Sequence, residues 1–225
     1  MLPHGSEGQG PDHSNAHLER FLQLAACNNM QICNVTTPSQ YFHLLRRQVK
    51  ARFRIPLILM TPKSLLRHPK VISTLEDLAK GSFRQVLDDS TDPEKIRRIL
   101  LCSGKVYYDL LTRREEVGRD DTALIRIEQL YPFPCEMIKS CIERYSSSCD
   151  VIWVQEEPRN YGAWSYLHER FCSCIPNIRL SYLGRGESPS SETGSHKQYQ
   201  AEQKKLVQDA IGSSKESHTT GESNG

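Results

Sequence analysis

The sequence predicts an α/β protein in two parts: the end of one α/β domain, then a second α/β domain built on a mostly parallel sheet. Three observations carry that expectation. From Arg98 to Leu111, the apolar run Ile99-Leu100-Leu101 passes through Ser103-Gly104 into a segment with Val106, Tyr107, Leu110 and Leu111 at helical spacing. A run buried on both faces, a glycine turn and an amphipathic helix make one βα unit. Two more apolar runs follow, Ala123 to Ile127 and Val151 to Val154, with helix-patterned segments between them. That alternation implies parallel strands covered by helices, with ligands near the carboxyl ends of the strands. Up to His68 the pattern is loop, helix, strand, helix, strand, and two strands bury too little apolar surface to stand alone.

In chain order, Leu2 to Asn15 is a loop whose glycines at 5, 8 and 10 let the backbone pass close to something. Leu18 to Ala26 reads as a helix and Met30 to Val35 as a short strand. Thr37 caps the next helix, which runs to about Ala51, Pro38 fits its first turn and Gln40 can close a capping box. Pro56 to Met60 is a buried strand. The connection from Pro69 to Thr91 holds a short helix near Ser73 to Ala79, and Asp92-Pro93-Glu94 opens another before Ile99. The prolines of Leu130-Tyr-Pro-Phe-Pro134 end one strand and open the helix Cys135 to Tyr145. Ala163 to Cys174 is a helix, Ile178 to Leu183 an edge strand and Glu202 to Ile211 a terminal helix. Residues 212–225 form a polar tail expected to be disordered.

A chain of 225 residues allows one to two domains. A net charge of +2 is too small to argue for nucleic acid or membrane binding across the whole surface. No run of eighteen apolar residues is present, and the first residues hold neither an apolar signal core nor an Arg-rich amphipathic helix. The eight cysteines form no Cys-x-x-Cys pair, so reduced thiols are expected and no metal site is assigned.

Several groups could carry chemistry. His13, after Gly10-Pro11-Asp12 at the mouth of a helix, can donate to a carbonyl or shuttle a proton near neutral pH. Arg46, Arg47, Lys50, Arg52 and Arg54 could hold phosphates or simply form a solvated helix face. Thr61-Pro-Lys63-Ser64 has the look of an anion-binding turn. Glu156 and Glu157 lie where this architecture places sites; paired acids do acid–base work, or else partner arginines and backbone amides. There is no nucleophilic triad, P-loop or dinucleotide fingerprint.

Taken together, a series of words in order resembles one family. They are Leu2-Pro-His-Gly-x-Glu-Gly-Gln-Gly-Pro-Asp-His13, Tyr41-Phe-His-Leu-Leu-Arg-Arg47, Thr61-Pro-Lys-Ser-Leu-Leu-Arg67 and Cys102-Ser-Gly-Lys-Val-Tyr-Tyr-Asp109. Arg126-Ile-Glu-Gln-Leu-Tyr-Pro-Phe-Pro134, Gln155-Glu-Glu-Pro-x-Asn-x-Gly-Ala-Trp164 and Thr193-Gly-Ser-His-Lys197 complete the set. The chain resembles, from Met1 to Gly212, the carboxyl-terminal quarter of the thiamine-diphosphate-dependent, decarboxylating subunit of the 2-oxoglutarate dehydrogenase complex. Gly10-Pro11-x-His13 is more distantly similar to the substrate-contacting loop of transketolases.

The resemblance implies that residues 1–68 are part of a pyrimidine-binding α/β domain and 69–81 a linker. Residues 82–211 would be a transketolase-type carboxyl-terminal α/β domain. Members run several times longer, so Met1 would fall inside the pyrimidine-binding domain, with the diphosphate- and magnesium-binding domain upstream. The chain would be a fragment (a mis-called start, a frameshift relic or a cloned piece), inactive alone and expected to bind neither thiamine diphosphate nor magnesium by itself. In its parent, His13 would face the substrate, and His4, Glu7 and Gln9 would shape the same loop where two subunits meet. The implied partners are a second subunit and the lipoyl-bearing succinyltransferase component, in the cytoplasm or a mitochondrial matrix. The Cys102 to Asp109 and Gln155 to Trp164 words favour 2-oxoglutarate over the one-carbon-longer 2-oxoadipate. Ser6, Asn15, His17 and Ile55 depart from the family pattern; Ile55 replaces an arginine near an effector site, which is therefore not carried over. Two other readings compete: a non-catalytic dimerisation or interaction module, and an anion or acyl-CoA sensor using Arg46 to Arg54.

Overall fold

The computed structural model describes residues 1–13 and 16–212, and for His13 the backbone alone. Asn15 and the expected tail beyond Gly212 lie outside the described residues. Two triplets make the first two strands, β1 (Gln31–Cys33) and the apolar β2 (Leu57–Leu59), which pair in parallel. Between them α2 (Pro38–Lys50) starts as expected at Thr37, whose side chain accepts from the Gln40 amide. The Gln40 side chain does not close a capping box; it turns inward to the Arg84 backbone and to buried Glu128. Helix α1 (Leu18–Leu24) precedes β1, and α3 (Leu75–Lys80) is held by a true capping box between Thr74 and Asp77.

The larger sheet has five strands in the order β3-β5-β4-β7-β8. Here β3 is Val86–Leu87, β4 Arg98–Cys102, β5 Thr122–Ile127, β7 Asp150–Pro158 and β8 Leu180–Arg185. All neighbours are parallel except β3 with β5, so the expected mostly parallel sheet is present. Helices α4 (Val106–Glu116), α5 (Cys135–Glu143), α6 (Trp164–Cys174) and α7 (His196–Ile211) cover it. Strand alternation decides which side chain goes to which face. Ile99, Leu101, Ile125, Val151 and Trp153 join one core cluster, while Leu100, Cys102, Leu124 and Val154 meet α4 and α7 on the other side.

The first segment is not left with two strands alone. Strand β6 (Gln129–Tyr131), immediately after β5, pairs antiparallel with β1 to make a three-stranded sheet, β2-β1-β6. Leu18, Leu22, Ile32 and Met60 share the main core cluster with Ile99, Ile125 and Trp153. A polar clamp reinforces the join. Glu128, fully buried, accepts from the Thr36 amide at 2.9 Å and its hydroxyl at 2.6 Å, and Tyr108 donates to the Thr36 carbonyl at 2.7 Å.

After β4 the chain turns at Gly104, with φ +72°, and a Cβ there would run into the Asn34 side chain. Gly104→Ala should therefore lower stability by about 1–3 kcal/mol, the scale of a left-handed non-glycine residue. Denaturant unfolding of both forms checks this, and equal midpoints would remove the constraint assigned to the turn.

Candidate functional site

The order of the parallel strands fixes where a site can form. From β4 the chain moves outward to β5, and from β7 it moves outward to β8, so connections diverge from the neighbouring carboxyl ends of β4 and β7. That divergence leaves the crevice at which ligands bind in open α/β sheets. Lys105 follows β4, and Glu156 and Glu157 end β7. Their crevice is filled by the chain's own N-terminal loop.

Glu156 accepts from the Ser6 amide at 2.7 Å and from Lys105 Nζ at 2.9 Å, with all three residues buried. Glu157 pairs with His4 Nε2 at 2.8 Å. The Ser6 hydroxyl donates to Glu192 at 2.9 Å and receives an Arg185 guanidinium NH at 2.8 Å. Tyr199 of α7 donates to the Ser6 carbonyl at 2.7 Å. Gln203 donates to Asp109 at 2.8 Å and toward Glu156 at 3.4 Å. Every polar atom of the Ser6 backbone and side chain is therefore engaged, although Ser6 departs from the family pattern.

The charges set one another. Burial pushes the Glu156 carboxyl up, reinforced by neighbouring Glu157 and Asp109, although Lys105 pulls it down. Burial opposes the Lys105 charge, yet Glu156 in front of it raises the ammonium well above its ordinary value. For His4, burial disfavours the imidazolium, but the hydrogen bond and charge of Glu157, with Glu156 and Glu19 behind, raise it above 6.5. Burial works against the Glu157 charge too; His4 and Lys105 bring it below 4.5. Each member of the pair thus favours the charged form of the other.

The other predicted residues distribute around this pin. Glu7 accepts from the Ser64 amide at 2.8 Å, so the anion-binding turn at Thr61 to Ser64 is answered by the chain's own carboxylate. Gln9 is exposed. His13 ends a short 3₁₀ helix, Pro11–His13, and its side chain lies outside the described residues. The glycines do allow a close approach, and the close surface is the protein itself: a Cβ on Gly8, at φ +67°, would sit 2.6 Å from the Tyr199 ring. His4, Glu157, His17 and Glu19 line a cavity of about 10 Å³, no larger than one water needs and far too small for a cofactor.

The basic stretch is not one stripe. Arg46, Lys50, Arg52 and Arg54 are exposed, but Arg47 folds back over Phe83 and donates to Gln129 at 2.8 Å. Spacing and composition did not point to Lys105, Arg185, Glu192, Tyr199 or Gln203 as partners of the loop. A buried lysine after a strand end was the one available signal, in the Cys102 to Asp109 word. Among the described residues no group of three or more His, Cys, Asp or Glu could hold a metal ion.

The profile of the 2-oxoglutarate dehydrogenase C-terminal family matches residues 72–211, and that of the transketolase pyrimidine binding domain matches residues 1–70. The 2-oxoglutarate dehydrogenase E1 component of Haemophilus influenzae is 50% identical over 214 residues, 94% of this chain and 23% of the relative. The proteins of the same name from Azotobacter vinelandii and Coxiella burnetii are 53% and 51% identical over 217 and 216 residues, with the same coverage. The chain spans about 23% of the length of these relatives.

The His4–Glu157 pair gives a pH window. His4, raised in the fold, contributes stability that is full below its unfolded value of 6.5 and lost as pH rises through the higher folded value. Glu157, lowered in the fold, contributes above its unfolded 4.5 and loses that as pH falls through the lower folded value. The stability difference between the protein and His4→Gln should be greatest near pH 5 to 6 and shrink by about pH 8.5. Urea unfolding at both pH values measures it; a difference that holds or grows at high pH contradicts the charged pair.

Proposed function

The chain belongs to the 2-oxoglutarate dehydrogenase C-terminal family, and on that premise we propose that it is the carboxyl-terminal part of a thiamine-diphosphate-dependent subunit. That subunit decarboxylates 2-oxoglutarate and passes the succinyl group to a lipoyl arm. Residues 1–68 belong to the pyrimidine-binding domain, 69–81 link, and 82–211 form the carboxyl-terminal domain. The observation that carries this reading is the N-terminal loop, held in the crevice between β4 and β7 by Glu156 and Glu157. An active-site loop must keep one geometry through the reaction, and bonds to buried charges supply that rigidity.

In this reading His13 faces the substrate and donates to it, Gln9 stands exposed on the same loop, and His4 and Glu7 act by positioning the loop backbone. Thiamine diphosphate, when bound, supplies the electron sink for the carbanion. Among the described residues no group of His, Cys, Asp or Glu offers a ligand set for magnesium. The partners are a second copy of the subunit and the lipoyl-bearing succinyltransferase component, in the cytoplasm, or in the matrix for a mitochondrial parent. Among the described residues, no helix is long and apolar enough to cross a membrane. A non-catalytic interaction module is the second reading, favoured by Val49, Leu66, Ile72 and Leu75, all at least 75% exposed.

Placed in a full-length subunit, His13→Ala should lower turnover at saturation by about a hundred-fold or more, the scale of a positioned proton donor. Its stability should change by well under about 1 kcal/mol, as for a loop side chain outside the core. Carbon dioxide release from 2-oxoglutarate, with thiamine diphosphate and magnesium supplied, is the measurement. Activity within about threefold of the parent would remove His13 from the reaction, and turnover by the present chain alone would overturn the assignment of it as an incomplete subunit.

A further inference from the structure

We infer that Glu19 is a positioning residue for the N-terminal loop: it is the second of two anchors that fasten both ends of residues 7–16 to one turn, and through the loop backbone it fixes where His13 stands, which rests on the proposed role of His13. The first anchor precedes the loop, where Glu156 and Glu157 hold Ser6 and His4. The second lies where the loop enters α1. Glu19, in the first turn of that helix, uses its two carboxylate oxygens in two directions. Oε1 accepts from His17 Nδ1 at 2.8 Å. Oε2 accepts from the Gly162 amide at 3.0 Å, 143 residues further along the chain.

Gly162 lies in the turn that leads from β7 to α6, so Glu19 reaches the same connection from which Glu156 and Glu157 hold the loop's other end. That turn is braced from within. Gln155 donates to the Pro158 and Tyr161 carbonyls at 3.2 and 2.9 Å and accepts from the Trp164 amide at 3.0 Å. The two anchors also meet: His4, Ser6 and Glu157 of the first and His17, Glu19 and Tyr161 of the second line one cavity of about 10 Å³. Ten residues whose ends lie this close make an Ω-loop. His17 carries the closure in its backbone, which is left-handed at φ 53° and ψ 67°. A residue other than glycine keeps that conformation only where its surroundings hold it. Here the Glu19 carboxylate holds the imidazole, and the Tyr161 ring lies 5.8 Å from it between centres. The His17 and Glu19 side chains are only 16% and 18% exposed, so water competes weakly for the carboxylate. With both oxygens engaged in this anchor, Glu19 acts on the reaction through the loop and not by touching substrate.

Two measurements separate the anchor from the reaction it serves. In the present chain, hydrogen exchange at the Gly162 amide reads the anchor alone. Glu19→Ala should lower its protection by about tenfold or more, while the Ser6 and Leu100 amides keep theirs. Glu19→Gln, which retains an acceptor for Gly162, should restore most of it. Unchanged protection at Gly162, or an equal loss at Leu100 that marks general destabilisation, overturns the anchor. In a full-length subunit supplied with thiamine diphosphate and magnesium, Glu19→Ala should lower turnover at saturation by about tenfold or more with apparent affinity nearly unchanged, the scale on which a small misplacement acts. The double variant His13→Ala/Glu19→Ala should be no slower than His13→Ala alone, because nothing is left to position. Losses that multiply, or parental turnover by Glu19→Ala beside a slow His13→Ala, overturn the positioning role. Parental turnover by His13→Ala would instead remove His13 from the reaction, and lost protection at Gly162 would then still support Glu19 as the loop's second anchor.

Discussion

Everything at the candidate site depends on one buried arrangement, the Glu156 carboxylate between the Ser6 amide and the Lys105 ammonium. A carboxylate taken out of water is stable only if other groups replace its solvation. Here one oxygen is taken by the loop's backbone and the other by a lysine from the neighbouring strand end. Removing either partner would leave an uncompensated charge, at a cost of about 3–5 kcal/mol for a buried pair. The same atoms that close the crevice between β4 and β7 therefore fix the N-terminal loop. The parallel sheet supplies the geometry and the ion pair supplies the hold.

This changes what the crevice is for. In an open parallel sheet the divergence of connections leaves space for a small ligand. In this protein the space is taken by Ser6 and its hydrogen bonds, and the remaining cavity beside His4 is about 10 Å³. Helix α7 seals the arrangement, with Tyr199 on the Ser6 carbonyl and Gln203 near Glu156. In the proposed reading, the site proper lies on the outer side of the loop, toward Gln9 and His13.

Much of the fold was legible because burial here is written in apolar runs. Ile99 to Leu101, Ala123 to Ile127 and Val151 to Val154 announce their strands, and Thr37 announces α2. The pattern fails where polar residues are buried. Strand β7 continues through Gln155, Glu156 and Glu157 to Pro158, a stretch no hydrophobicity rule extends, because its charges are satisfied by residues 150 positions away in the sequence. Strands β3 and β6 are two and three residues long, too short for any period to register. Helix α7 begins at His196, six residues before the apolar pattern does, although Ser195 with Gln198 three residues on is a capping pattern that could have been read. For the site, the paired acids were visible and their two possible roles were both open; the fold decides for the amide, lysine and histidine partners. The inward turn of Arg47 could not be read from a charge run.

The account rests on the claim that the N-terminal loop is part of the folded core through Glu156, although its composition marks it only as a glycine-rich loop. Native-state hydrogen exchange at the Ser6 amide tests this directly. If the amide is held by the buried carboxylate, it should exchange only by large-scale opening, with protection comparable to the central strand amides of Leu100 and Leu101. Exchange at the rate of an unstructured peptide would contradict the claim and leave the loop unpinned.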